Sequence, residues 1–248
     1  MLFMSNKLFG VISIYGLLIA FAILLGTILC QREARRRGLP PDTGIDMILW
    51  AVPPAVICAR IYYVAFRWRY YAADPVSALY FWQGGLAIYG AVIGGFLGLL
   101  ALSRKNKLRF LTLLDIAAPL VILGQAIGRW GNYFNGEAYG NIVRNPAWQF
   151  FPFAVFADGA WHLATFFYES VWDALGFAFL WLYRKKARQP GDVFFRYLLW
   201  YGAGRAVIEG LRADSLMLGP VRVSQLLSVL LCVFALAAIL RRKARARQ

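Results

Sequence analysis

Apolar residues in this chain gather into long runs rather than narrow stripes. Seven runs stand out, covering residues 8–30, 45–66, 86–103, 110–128, 163–183, 193–211 and 223–240. A helix needs about 20 mostly apolar residues to cross the hydrocarbon core of a bilayer, and each run approaches that length. The first carries no charge, is too long for a signal-peptide core and has no convincing cleavage site, so it reads as a retained span. A few charges interrupt the others: Asp46 and Arg60 in the second, Asp115 in the fourth, Glu169 and Asp173 in the fifth, and Arg196, Arg205 and Glu209 in the sixth. The pattern predicts an all-α polytopic membrane protein of about seven transmembrane helices, with residues 1–248 forming a single integral membrane domain.

Composition agrees. Of 248 residues, 60% are hydrophobic and 16% charged, against about 25% charged in soluble domains. The 27 Lys and Arg outnumber the 12 Asp and Glu, for a net charge of +15. Such an excess can signal nucleic-acid binding. Here it falls in clusters between the runs: Arg32, Arg35, Arg36 and Arg37; Arg104, Lys105, Lys107 and Arg109; Arg184, Lys185, Lys186 and Arg188; and Arg241 to Arg247 at the end. These lie on alternate connections, so the positive-inside rule puts all of them in the cytoplasm. The N-terminal end is then outside and the C-terminal end inside, and no nucleic-acid partner is expected. Cys30, Cys58 and Cys232 sit inside apolar runs without disulfide or zinc spacing, and a single histidine excludes a His-rich metal site.

The remaining connections face outward. The largest, residues 129–162, is too short for a domain and reads as a small periplasmic head segment. Within it, Asp158-Gly159 is a hairpin turn signal. Trp148, Phe150, Phe151, Phe153, Phe156 and Trp161 suit the membrane interface. In the third run Gly90, Gly94 and Gly98 repeat at four-residue spacing, which predicts close helix packing.

Charged groups within a bilayer cost about 2.5–3.5 kcal/mol each on insertion scales, so they mark function or buried pairs. Tyr201, Arg205, Glu209 and Arg212 are spaced to line one helix face, in the outer half of the sixth run. Arg60 falls near the outer end of the second and Tyr89 near the outer start of the third. Arg129 and Asn132 sit at the outer exit of the fourth, and Glu169 in the outer part of the fifth. Tyr15 lies seven residues into the first, about 10 Å along its axis. Six helices thus aim polar groups at one depth, as a shared site requires; Arg60 and Glu169 also suit structural ion pairs.

Several arginines in a low dielectric call for an anion, and the planar guanidinium fork suits phosphate. At outer-leaflet depth that phosphate belongs to a lipid. Glu209 and Glu137 are candidates to hold the arginines in place. There is no Gly-x-Ser-x-Gly and no Walker-type loop. His162 suits a structural hydrogen bond better than general-base catalysis. One rival reading is a transporter or flippase for an anionic lipid or solute, which would need polar residues along the inner halves; these hold only Asp46, Asp173 and Arg196. A non-catalytic receptor is the other.

The stretch Gly128-Arg129-Trp130-Gly131-Asn132-Tyr133-Phe134-Asn135-Gly136-Glu137-Ala138-Tyr139-Gly140 closely resembles the signature of bacterial prolipoprotein diacylglyceryl transferases. The resemblance extends along the chain: Ser13-Ile14-Tyr15-Gly16, Ala59-Arg60-Ile61-Tyr62-Tyr63-Val64, Trp82-Gln83-Gly84-Gly85-Leu86-Ala87-Ile88-Tyr89-Gly90, Phe167-Tyr168-Glu169-Ser170, and Tyr201-Gly202 through Arg205, Glu209 and Arg212. It implies a multi-pass enzyme of the bacterial inner membrane. Such an enzyme moves the diacylglyceryl group of phosphatidylglycerol to the lipobox cysteine thiol of a prolipoprotein signal peptide. A thioether forms, glycerol phosphate leaves, and no metal or cofactor is needed.

Together with the convergent polar groups, the resemblance implies Arg129, Arg205 and Tyr89 as catalytic residues. Tyr15, Arg60, Asn132, Asn135, Glu137, Tyr201, Glu209 and Arg212 are the implied substrate-binding residues. Many family members have histidine where this chain has Tyr89, and others have tyrosine. Tyr89 either accepts the thiol proton or only hydrogen-bonds the substrate.

Overall fold

A computed structural model describes residues 7–8, 12–212, 217–219 and 221–245. Among them are seven long helices: α1 (Ile14–Arg36), α2 (Thr43–Phe66), α3 (Ile88–Lys105), α4 (Phe110–Asn135), α5 (Thr165–Tyr183), α6 (Asp192–Ile208) and α7 (Val223–Arg245). Three antiparallel strand pairs accompany them: β1 (Lys7–Leu8) with β2 (Ile12–Ser13), β3 (Ala154–Ala157) with β4 (Ala160–Leu163), and β5 (Met217–Leu218) with β6 (Val221–Arg222). The fold is thus mostly helical. Five helices, α1, α2, α3, α4 and α7, are long and apolar enough to cross a membrane by length and composition. The other two depart from that standard because α5 carries Glu169 and Asp173, and α6 has 17 residues with Arg196 and Arg205 among them.

Helix limits differ from the runs in three informative places. Helix α1 begins at Ile14, because residues 12–13 pair with residues 7–8, so Tyr15 lies in its first turn rather than a third of the way along. Residues 9–11 of that expected span lie outside the described residues. Helix α4 continues seven residues past its apolar run, to Asn135. Tertiary packing overrides the low helix propensity of Gly128 and Gly131: Trp130 and Tyr133 pack against Phe166, with ring centroids 5.7 and 4.9 Å away. The helix stops where Gly136 turns left-handed (φ 70°). There Gly136 N–H donates to Tyr133 O (3.1 Å) and Glu137 N–H to Asn132 O (3.0 Å), the two bonds of a Schellman cap. Finally, α6 ends at Ile208 and tightens into a 3-10 turn, Glu209–Leu211.

The chain divides into two compact units, Thr27–Ile116 and Met1–Gly26 with Ala117–Gln248. In the first, α2 packs on α3 along the glycine stripe. A Cβ on Gly90, Gly94 or Gly98 would overlap the carbonyl oxygens of Cys58, Pro54 and Trp50 respectively. Backbone meets backbone, as the four-residue spacing predicted. Pro54 has no N–H to give the Trp50 carbonyl, and that is the carbonyl against which Gly98 lies. At the other end of the unit, buried Glu33 accepts from Arg36 (2.7 and 2.6 Å) and Arg37 (2.8 Å), while Arg37 stands 3.7 Å from Asp115.

In the second unit α5 and α6 are locked by a reciprocal pair. The Trp172 and Trp200 rings stack at 4.7 Å, and each indole N–H donates to the other's carbonyl (3.0 Å). Gly204 and Gly176 make room, since a Cβ on either would strike Trp172 or Trp200. Strands β3 and β4 form the expected hairpin. Asp158 (φ 48°) and Gly159 (φ 80°) are both left-handed, the requirement of a type I′ turn.

The glycine seam is testable. Gly94→Val and Gly98→Val should each destabilise the protein by at least about 1–3 kcal/mol through overpacking. At Gly124 an added Cβ would meet nothing within 4 Å, so this position should tolerate alanine and gain up to about 1 kcal/mol. Thermal unfolding in detergent reads both; a Gly98→Val protein that melts like the parent would refute backbone-to-backbone packing.

Candidate active site

Four helix-borne charges of the second unit form one chain of ion pairs. Arg129, in the last two turns of α4, donates through Nη2 to Oε1 of Glu169 on α5. Arg205, near the end of α6, donates through Nη1 to the same Oε1 (2.8 Å) and to Oε2 (3.1 Å). Its Nη2 lies 2.7 Å from Oε2 of Glu209, one turn on. Both arginines expected to share a ligand therefore already share a carboxylate. Their side chains keep 17% and 14% of their surface exposed, whereas Glu169 and Glu209 keep 3% and 2%. The carboxylates are hidden behind the cations, so the accessible face of the cluster is positive. A guanidinium has five donors, and Arg129 commits only Nη2 to Glu169, leaving capacity for an incoming oxyanion.

The cluster rests on polar ties between helices. Trp130 Nε1 donates to Ser170 Oγ (3.1 Å), and Ser170 Oγ donates to the Ala126 carbonyl (2.8 Å), so α4 and α5 are pinned one residue from Arg129 and Glu169. One turn before Arg205, Tyr201 stacks on Tyr197 at 5.9 Å. Asp173, one turn beyond Glu169, is buried, and neither of its carboxyl oxygens has a hydrogen-bond partner among the described residues.

Beside the arginines is a second polar group. Asn132 Nδ2 (3.2 Å) and Asn135 Nδ2 (3.0 Å) both donate to Glu137 Oε1. Glu137 is thus held by amides rather than by the arginines, and the side chain that takes the expected bridging role is Glu169. Tyr15 covers this region: a Cβ on Gly131 would run into its ring, so only glycine lets α1 approach there.

The segment after the cap closes the site. Gly140 N–H donates to Leu163 O (2.9 Å), Asn141 N–H to Leu211 O (2.9 Å), and Thr165 Oγ1 to Ala138 O (2.8 Å). Arg212, expected on the helix stripe, is instead extended and bridges Gly140, because the helix has already ended. Tyr139 is half-buried, and burial, helped by the negative charge of Asp158, raises its hydroxyl above the usual range. His162 Nδ1 lies 3.0 Å from the Gly140 carbonyl, the structural hydrogen bond expected of it.

Two expected site residues belong to the other unit. Among the described residues Arg60 bonds to backbone carbonyls rather than to a carboxylate. Its Nε donates to Ala78 O (2.7 Å), Nη1 to Gly84 O (2.7 Å) and Gly85 O (3.1 Å), and Nη2 to Ser77 O (2.9 Å). Backbone carbonyls take four of its five N–H donors, so Arg60 clasps its own loop. Tyr89, the second residue of α3, is half-buried with its ring 6.2 Å from that of Tyr62.

The sequence profile described as prolipoprotein diacylglyceryl transferase matches residues 6–241. The chain belongs to that family. Relatives named phosphatidylglycerol--prolipoprotein diacylglyceryl transferase include one from Limosilactobacillus reuteri (strain DSM 20016), 44% identical over 239 residues, covering 92% of this chain and 86% of its own. Another, from Halalkalibacterium halodurans, is 44% identical over 238 residues, covering 93% and 82%. A third, from Lysinibacillus sphaericus, is 44% identical over 242 residues, covering 94% and 89%.

Glu169 is the member of the cluster whose loss should be felt most widely. Glu169→Gln leaves two half-buried arginines without their shared anion, Arg205 keeping only Glu209, and should cost up to about 3–5 kcal/mol of stability. An unchanged unfolding midpoint for this variant in detergent would show that the shared carboxylate is not what holds the arginines.

Proposed function

We propose that this chain transfers the diacylglyceryl group of phosphatidylglycerol to the cysteine thiol of a prolipoprotein, the first step of lipoprotein maturation, at the outer face of the bacterial inner membrane. Membership of the family supports the reaction. The observation that carries the site is the pairing of Arg129 and Arg205 on one hidden carboxylate, with their own surfaces left accessible. Seven spans, with the N-terminal end outside and the C-terminal end in the cytoplasm, follow from the basic clusters. The two polar helices α5 and α6 complete the set because each brings charged members of the cluster.

In the reaction sulfur attacks the glyceryl carbon bonded to the phosphate oxygen. The S–C bond forms as the C–O bond breaks, glycerol phosphate leaves, and the thiol proton is released. A free thiol has a pKa near 8.5, so part of the work is to favour the thiolate. The rest is to stabilise charge gathering on the departing phosphate. Arginines already oriented by Glu169 and Glu209 need no reorganisation to do that. In this reading Arg129 and Arg205 clamp the phosphate and Tyr201 borders them. Glu137, held by Asn132 and Asn135, receives hydroxyls of the glycerol headgroup, while Tyr15 bounds that pocket. Glu209 positions Arg205, and Arg212 fixes the signature loop through Gly140.

The decisive assay incubates the purified protein with phosphatidylglycerol and a lipobox peptide and seeks the diacylglyceryl adduct by mass spectrometry. An unmodified peptide beside an active control enzyme would return the reading to a lipid transporter. Arg129→Ala and Arg205→Ala should each lose about 2.7–4 kcal/mol of transition-state stabilisation, roughly 100- to 1000-fold in kcat. Either variant turning over normally while folded would remove the phosphate clamp. Tyr89→Phe separates that residue's two roles: loss in kcat assigns it the thiol proton, and loss confined to KM assigns it a substrate hydrogen bond.

A further inference from the structure

We propose that residues 66–86, between α2 and α3, form an interfacial arm that docks on anionic phospholipid headgroups of the outer leaflet. This rests on the orientation given above and not on the transfer chemistry. Phe66, Trp68, Tyr70, Leu79, Phe81 and Trp82 each expose between 51% and 76% of their surface, and all lie at or beyond the end of α2. Exposed apolar side chains concentrated in one short connection mark an interaction surface, and aromatic rings favour headgroup depth.

The backbone of the arm is prepared for scarce water. Irregular chain near lipid is tolerated only where protein groups satisfy its carbonyls. Here the Arg60 guanidinium satisfies those of Ser77, Ala78, Gly84 and Gly85. Tyr71 is buried beneath, with Arg60 5.2 Å from its ring centroid. Charge chooses the occupant. From residue 60 to residue 86 the chain has three arginines, Arg60, Arg67 and Arg69, and one acid, Asp74; Arg67 and Arg69 are exposed. An apolar peptide would match the rings and leave these cations idle, whereas an anionic diacyl lipid answers both. The arm therefore gathers anionic diacyl phospholipid, the class to which phosphatidylglycerol belongs.

Tryptophan fluorescence in nanodiscs tests this, using phosphatidylglycerol or phosphatidylcholine brominated near the glycerol end of the chains. Trp68→Phe/Trp82→Phe should remove a distinct share of the lipid-quenchable emission, and Trp82→Phe alone a smaller share of the same sign. That share should quench at lower mole fractions of phosphatidylglycerol than of phosphatidylcholine. Arg67→Ala/Arg69→Ala should raise the phosphatidylglycerol fraction for half-quenching by about fivefold per arginine, the equivalent of about 1 kcal/mol each. An unchanged quenchable share in the tryptophan variants, or equal quenching by the two lipids, overturns the proposal. So does quenching that a lipobox peptide relieves while lipid charge has no effect, which would make the arm a peptide-docking surface. No turnover is measured, so these outcomes stand apart from the success or failure of the transfer assay.

Discussion

One carboxylate organises the site. Placing two guanidinium groups among apolar helices is costly unless each finds an anion, and Glu169 serves both at once. Its two oxygens accept from Arg129 on α4 and Arg205 on α6, so three helices are drawn to one point by a single side chain. Under the proposed function, a phosphate would arrive at arginines whose charge is already compensated from behind and whose donors already have set directions.

Around that point the chain is built to hold angles. The Schellman cap at Gly136 returns the backbone over the last turns of α4, which places Asn132, Asn135 and Glu137 in one closed network. The residues that follow hydrogen-bond to β4 and to the end of α6. The signature therefore works as a knot between three parts of the fold rather than as a loop carrying isolated side chains. The Trp172–Trp200 pair does the same for α5 and α6 farther along the helices.

Much of this was legible in the residues. The spacing of Gly90, Gly94 and Gly98 foretold a seam, Asp158-Gly159 foretold a hairpin, and of the arginines read at one depth Arg129 and Arg205 meet on one carboxylate. Other features were hidden for physical reasons. No periodicity links Arg129 to Glu169, 40 positions away, so the shared anion appears only once the helices are packed. Arg60 spends its donors on carbonyls, and every residue has a carbonyl, so no side-chain pattern announces such a partner. Helix α4 outlasts its apolar run because Trp130 and Tyr133 find Phe166. Arg212 misses the helical face because α6 tightens and ends just before it. Local propensity was silent on both.

The knot at Gly140 also restricts how the fold can change in length. Residues 136–143 span a fixed gap between the cap of α4, strand β4 and the extended residue at 212, with hydrogen bonds at nearly every step. Inserting or deleting a residue there would shift the register of the hairpin and of the end of α6 together. The tip at Asp158-Gly159 touches none of these ties. Descendants of this chain have room to grow or shrink the head at that tip, while the stretch from Gly136 to Val143 behaves as a ruler.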